Sequence, residues 1–445
     1  MVSTTPAFNL KVVLKETGIA ADTLRAWERR YGLPMPQRSA GGHRLYSQRD
    51  IETIKWLMKR QTEGLSISRA VDLWNEQIAS GSDPLAGSVP SSVVSASTVP
   101  GQYQAADTTL DALRAQWVEA CLNFSESGAE QILNQAFSIF PVEAVCIEVL
   151  QKGLFEVGEL WYENRMSVQQ EHFASGLAIR RLDTLLSASP VPTRNQSLIV
   201  GCPPNEWHTF TPLLLALLLR RRGFNVVYLG ANVPDQQFTE AVRSAKADLV
   251  LLVAQHLLSA ATLKHTSFVL SSQKIPVAFG GRIFNLRPKI SDTIAGYFLG
   301  NDLPGAIEEI ELILNSKIKK REPEVISRSY AAAHQAFVSK RAQIDISVRE
   351  LVEPLSIAPE DIETGIHFLS ENIMAALQLG DMAHVSAEID WLKGLLQAHG
   401  ASESQLADFL QAYSKAVDRN LNGQGSPIYT WFEAEIEKLA PTTHE

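Results

Sequence analysis

Cysteine is scarce: only Cys121, Cys146 and Cys202 occur in 445 residues. An odd, widely spaced set excludes a disulfide framework and a zinc knuckle, and it fits a reducing, cytoplasmic setting. No apolar run reaches the ~18 residues of a membrane-spanning helix. The longest, Pro212 to Leu219, stops at Arg220, Arg221 and Arg222. The first residues lack the basic-then-apolar layout of a signal peptide. No Ser-His-Asp or Cys-His set, P-loop or HExxH pattern is present, so nothing marks the chain as an enzyme. Positive charge is also short overall, with a net charge of −9.

That deficit is uneven. Residues 1–80 carry 12 Lys and Arg against 8 Asp and Glu, a net of +4; the remainder carries 28 against 41, a net of −13. A basic head on an acidic body suits a regulator with a separate DNA-binding module. No Lys or Arg occurs between Arg69 and Arg114, and Ser80 to Gln104 is rich in Ser, Gly, Pro and Val. Such a stretch cannot bury enough surface to order itself, so residues 80–106 read as a flexible linker.

Beyond it, apolar residues at helical spacing imply a four-helix bundle over 107–190, with helices near Leu110–Cys121, Ala129–Phe140, Val142–Trp161 and Val168–Leu186. The period then changes. Strands at Ser197–Cys202, Val226–Leu229, Leu249–Ala254 and Val277–Phe279 alternate with helices, which implies a doubly wound parallel sheet over 195–322. From 327 to 440 the chain is helical again, with a capping box at Ser402–Gln405 and breaks at Gly380 and Gly400. Its Ile373, Leu377, Leu392 and Leu396 read as core, and Trp391 and Trp431 as packing anchors.

The head, residues 8–79, reads as a helix at Leu10–Glu16, a turn at Gly18 and a second helix at Ala21–Arg30 bearing Arg25, Arg29 and Arg30. Arg38 to Tyr46 forms a wing around Gly41-Gly42, and Ser47 caps a third helix. The run TLRAWERRYGL…P.RSAGGHRLYSQRDI resembles the winged helix-turn-helix of the MerR superfamily, in the branch carrying Trp-Glu-Arg-Arg-Tyr-Gly, here Trp27 to Gly32. The resemblance implies double-stranded DNA as partner, with Thr23, Arg25, Arg29, Arg38, His43 and Arg44 facing it and Tyr46 at its backbone. It places Trp27 and Leu45 at or near the small core. The last helix of the head, Ser66 to Ile78, is short, so pairing of heads must come largely from later domains.

A second constellation spans the middle domains. Trp161 is followed after nine residues by Glu171-His172, the first strand leads to Glu206-Trp207-His208, and a late strand ends in Gly280-Gly281. The strand-one loop falls at the carboxyl ends of the strands, where such sheets bind ligands. A His there can be oriented by a carboxylate two residues before it, and the glycine pair lets a ligand lie close to backbone. This combination resembles the cobalamin-binding module shared by methionine synthase and light-responsive CarH/LitR-type regulators. The resemblance implies cobalamin, adenosylcobalamin by preference, with His208 as the metal ligand below cobalt and Trp161, Glu171 and His172 lining the upper face. It also implies ligand-dependent self-association, to a dimer or tetramer, and a response to light.

Three positions depart from the family pattern. Thr211 stands where the loop has Gly, Ala254 where the third strand ends in Ser, and Tyr162 where light-responsive members carry a second cobalt-ligating His. Two alternatives stay open. One is a regulator that has lost cobalamin binding and senses another tetrapyrrole, with His256 as a candidate contact, or a protein partner. The other is a corrinoid methyl-carrier. The C-terminal helices could serve oligomerisation, a protein partner or chromophore holding.

Overall fold

The computed structural model describes residues 6–17, 19, 21–38, 44–62, 67–79, 84, 109–317, 323–355, 359–398 and 403–439. The chain divides into two compact units, residues 1–104 and 105–445.

In the first unit β1 (Pro6–Asn9) precedes α1 (Leu10–Thr17) and α2 (Ala21–Tyr31). β2 (Gln37–Arg38) and β3 (Arg44–Ser47) flank the expected wing turn, and α3 (Gln48–Thr62) and α4 (Ile67–Ala79) follow. The strands form an antiparallel sheet in the order β1-β3-β2. β1 is too short and too near the chain start to show a period-2 pattern. Ser47 caps α3 reciprocally: its hydroxyl accepts from the Asp50 N–H at 3.1 Å, and the Asp50 carboxylate accepts from the Ser47 N–H at 2.8 Å. Leu24, Trp27, Tyr46, Ile54, Trp56 and Trp74 make the core. The Gly18 turn, Gly41-Gly42 and His43 lie outside the described residues, as do 80–83 and 85–106 of the expected linker.

The second unit opens with the helical cap: α5 (Leu110–Leu122), α6 (Glu126–Ile139), α7 (Val142–Val145), a π-helical turn (Cys146–Gln151), α8 (Lys152–Tyr162) and α9 (Val168–Ser187). The helix expected over Val142–Trp161 is thus one run widened by a π turn. Just beyond it, Gly153 lies against Trp117. A Cβ there would meet the indole at 2.9 Å, and the indole is fully buried.

The sheet domain comprises β4 (Ser197–Gly201), α10 (Phe210–Arg221), β5 (Asn225–Gly230), α11 (Asp235–Ala245), β6 (Leu249–Val253), α12 (Leu257–Ser272), β7 (Val277–Gly280), α13 (Arg282–Leu286), β8 (Tyr297–Phe298) and α14 (Leu303–Leu314). All strands are parallel, in the order β5-β4-β6-β7-β8. β8, only two residues long, has no sequence signature. β4 and β6 are buried along their whole length, which suits their unbroken apolar sequences. α10 is buried from Pro212 to Leu219 because it packs on the strands and on the cap in one continuous core. Strand order reverses between β4 and β6, so the loops leaving these strands open into the switch-point crevice.

The tail bundle contains α15 (Arg328–Val352), α16 (Pro359–Leu379), α17 (Ala383–Ala398), α18 (Glu403–Leu421) and α19 (Ser426–Leu439). Phe337, Ile373, Leu377, Tyr413 and Trp431 belong to its core. Gly380 ends α16 with φ +92°. Ser402, Gly400 and the Leu396 side chain lie outside the described residues. Ala375 and Leu379 leave this core and join the cluster beneath α12. Among the described residues no helix is long and apolar enough to cross a membrane.

Candidate functional site

In the head, α2 turns Leu24 and Trp27 inward and Thr23, Arg25, Arg29 and Arg30 outward. Glu28 ties this helix to the wing strand. Its carboxylate accepts from Arg44 Nε at 2.8 Å and from Tyr46 Oη at 2.5 Å. Tyr46 is therefore not at the surface for a DNA backbone. It is fully buried, and burial and the Glu28 carboxylate push its phenol pKa up. Its hydroxyl is spent on registering β3 against α2. Arg44 keeps about a third of its side chain exposed. The Arg38 side chain lies outside the described residues. Tyr46→Phe should cost about 1.5–3 kcal/mol, the range for a hydrogen bond to a charged group, read as a lower unfolding midpoint of the head.

In the second unit, β4 runs out at Gly201 and the loop places Glu206 and His208 in the switch-point crevice. Glu206 is fully buried. Burial alone would raise its pKa, but hydrogen bonds from His208 hold it at about 2. One carboxylate oxygen accepts from the His208 backbone N–H at 2.9 Å and from His208 Nδ1 at 2.7 Å. The other accepts from the Gln255 N–H at 2.7 Å. An ionised acceptor requires the proton on Nδ1, which leaves the Nε2 lone pair of His208 without that proton, on a side chain 68% exposed. The hydrogen bond to Glu206 raises the His208 pKa against the opposing effect of burial.

His256 stands beside it, with ring centroids 5.7 Å apart. Glu206, His208 and His256 bring donor atoms within 4.8 Å of one another, a grouping that can hold a metal ion. The two rings are not equivalent. His256 caps α12, its Nδ1 accepting from the Ser259 N–H at 3.4 Å. The proton of the neutral ring then sits on Nε2, 3.8 Å from Glu206, and burial lowers its pKa. His208 is held in the tautomer that ligates through Nε2 and His256 in the one that does not, so the residues fit a group bound through His208.

The other expected site residues divide. Glu171 on α9 is half-buried, accepts from Ser175 Oγ at 2.6 Å and acts on His208 through its charge. His172 is 74% exposed, with Nδ1 2.6 Å from Glu171. Trp161 is half-buried at the end of α8. The glycine pair has a reason other than ligand approach. Gly281, at φ +129°, lies so close to Ala254 that a Cβ would sit 2.0 Å from its carbonyl oxygen, whereas Gly280 meets only Leu299 at 3.8 Å. Gly281 thus knits β6 to β7, and Gln255 links the same loops by accepting from the Arg282 N–H at 3.2 Å. Thr211 is half-buried in the first turn of α10, and Ala254 is fully buried.

Sequence reasoning missed the C-terminal contribution. Trp391 is no core anchor of its bundle. It stacks on Tyr162 at 5.9 Å and lies 6.3 Å from Trp161. Glu388 pairs with Arg287 at 2.6 Å.

These features define a class: a MerR-type helix-turn-helix head joined to a two-part B12-binding body. Residues 8–77 match the family described as MerR HTH family regulatory protein, and residues 113–186 and 196–298 each match a family described as B12 binding domain. The HTH-type transcriptional repressor CarH of Myxococcus xanthus is 30% identical over 243 residues, 55% of this chain and 77% of the relative. CarA of the same organism is 30% identical over 246 residues, 55% of this chain and 75% of that relative. The chain belongs to the family of these CarH- and CarA-type repressors. The Methanosarcina barkeri monomethylamine corrinoid protein aligns at a TM-score of 0.39 and 19% identity, covering 47% of this chain and all of that structure.

Proposed function

We propose that the protein is a DNA-binding transcriptional regulator whose cap and sheet domains sense a corrinoid, adenosylcobalamin by preference, and couple it to self-association and promoter binding. The observation that carries this reading is the buried Glu206 carboxylate holding His208 with Nε2 available for cobalt. A bound corrinoid would supply a cobalt centre for the His208 imidazole to ligate and, as adenosylcobalamin, a light-sensitive cobalt–carbon bond. The chain's own residues orient the ligating imidazole and leave its Nε2 edge open to the crevice. Tyr162 offers no second imidazole and is engaged by the tail bundle, which speaks against a bis-histidine light state at that position.

At the DNA, Thr23, Arg25, Arg29 and Arg44 are the candidate contacts, with Arg38 and His43 completing the wing. Cations on phosphate supply affinity that falls with salt, and base edges supply sequence choice. Arg44→Ala should weaken operator binding about five- to tenfold, since it removes a cation from the wing and its tie to Glu28. An unaltered mobility shift would show the wing to be idle.

Linkage makes the coupling testable. A ligand that favours the associated state raises DNA affinity through effective concentration. Adding adenosylcobalamin in the dark should raise the mass seen by light scattering and tighten operator binding. Mass and affinity that ignore the ligand would reject sensing and leave a regulator working through protein contacts. The methyl-carrier alternative assigns the head no role.

A further inference from the structure

The outer stripe of α17 touches both the sheet domain and the cap. Val385, Ile389 and Leu392 turn into the tail bundle. One helical step round are His384, Glu388, Trp391 and Gly394, spaced to fall on a common face. At one end of that face Glu388 pairs with Arg287, just past the β7 glycines, with both side chains under 20% exposed. At the other end Trp391 stacks on Tyr162 at an interplanar angle of 28° and approaches Trp161. Tyr162 Oη donates to the Trp391 carbonyl at 3.3 Å. Gly394 makes this seat possible: a Cβ there would stand 2.0 Å from Tyr162 Oη. Glu388 also reaches His256 electrostatically.

The attachments of the bundle along α12 and on the cap differ. Along α12 it is fixed by buried Ala375 and Leu379, by Gln378 Nε2 donating to the Ala261 carbonyl at 3.0 Å, and by Lys264 Nζ donating to the Gln378 carbonyl at 3.0 Å. On the cap the contacts are aromatic and exposed: Trp391 meets Tyr162 and Trp161, Tyr162 donates to its carbonyl, and Trp391 stays 39% exposed. A firm anchor and a light latch describe a hinged cover.

We propose that α17 is a strap across the mouth of the His208 crevice, latched to the cap by Trp391 in the Gly394 seat, and that a planar macrocycle entering between cap and sheet displaces it. The strap rests on the corrinoid reading of the crevice and gives the tail bundle a role: it reports occupancy, since Trp391 and a ligand compete for Trp161 and Tyr162. A site covered most of the time binds more weakly by the fraction of time it is open.

Two full-length variants test the latch. Trp391→Ala removes the stack, and Gly394→Ala blocks the Tyr162 seat while favouring the helix itself, so α17 stays folded. Without ligand, Trp391→Ala should show faster amide exchange over residues 388–398 than the parent, while Gly394→Ala is read by ligand binding. Both should also bind hydroxocobalamin on the order of tenfold more tightly, as expected if the latch holds about nine molecules in ten closed. Saturating the parent with hydroxocobalamin should release the same segment. Unchanged exchange, with binding equal to or weaker than the parent's, overturns the strap and leaves the corrinoid site standing. No binding by any of the three proteins overturns both.

Discussion

His208→Ala is expected to abolish corrinoid retention and leave the protein folded. The side chain is 68% exposed, so truncation sacrifices little buried surface. Glu206 keeps the backbone N–H groups of residue 208 and Gln255. The structural cost is then that of one lost hydrogen bond to a buried carboxylate, about 1–3 kcal/mol. The cost to the ligand is larger. Loss of a residue that merely orients a metal ligand weakens binding roughly 10–100-fold, and removing the ligand itself should exceed that. The check is the visible absorbance of desalted protein, with thermal unfolding as the control for folding. Unchanged retention would place ligation elsewhere, His256 first. The cap bond of its Nδ1 makes that outcome unexpected.

Gly281→Ala should have the largest effect on stability. At φ +129° an L side chain is strained, and its Cβ would meet the carbonyl oxygen, carbonyl carbon and nitrogen of Ala254 at 2.0, 2.8 and 2.9 Å. The backbone has little room to yield, because Gly280 is paired with Val253 and accepts from the Ala254 N–H at 3.0 Å. Backbone strain of about 1–3 kcal/mol and a comparable overpacking cost fall on one residue. Ala254, which the new Cβ would strike, is followed by Gln255, whose N–H holds Glu206, so corrinoid retention should fall with stability. Gly280→Ala is the contrast: its nearest atom is 3.8 Å away, and it should be close to neutral. Equal unfolding midpoints for the two variants would contradict this reading.

Much of the architecture was legible because local chemistry and tertiary contacts agree. SLIVG and LVLLV are continuous apolar runs, and both are central strands. The Ser47–Asp50 cap follows from residue type and spacing, and the inward Trp27 from the family resemblance. What escaped depends on contacts distant in sequence. Tyr46 sits among wing cations and reads as one more surface contact, yet Glu28, 18 residues earlier, draws it into the core. The glycine pair reads as room for a ligand, while the structural demand on Gly281 comes from Ala254, just past the end of β6. Trp391 reads as core because tryptophans on helices usually are, and its partner Tyr162 is 229 residues away. A hint was present: Trp391 falls out of step with Val385, Ile389 and Leu392, the apolar stripe of its own helix.

The central claim is that His208, held by Glu206, ligates a corrinoid. Its most direct test is to incubate the full-length protein with adenosylcobalamin in the dark, desalt it and record the absorbance spectrum. Near one corrinoid per chain, with bands shifted from those of the free cofactor and lost in His208→Ala, is the result expected. A colourless protein, or colour that survives in His208→Ala, would contradict it.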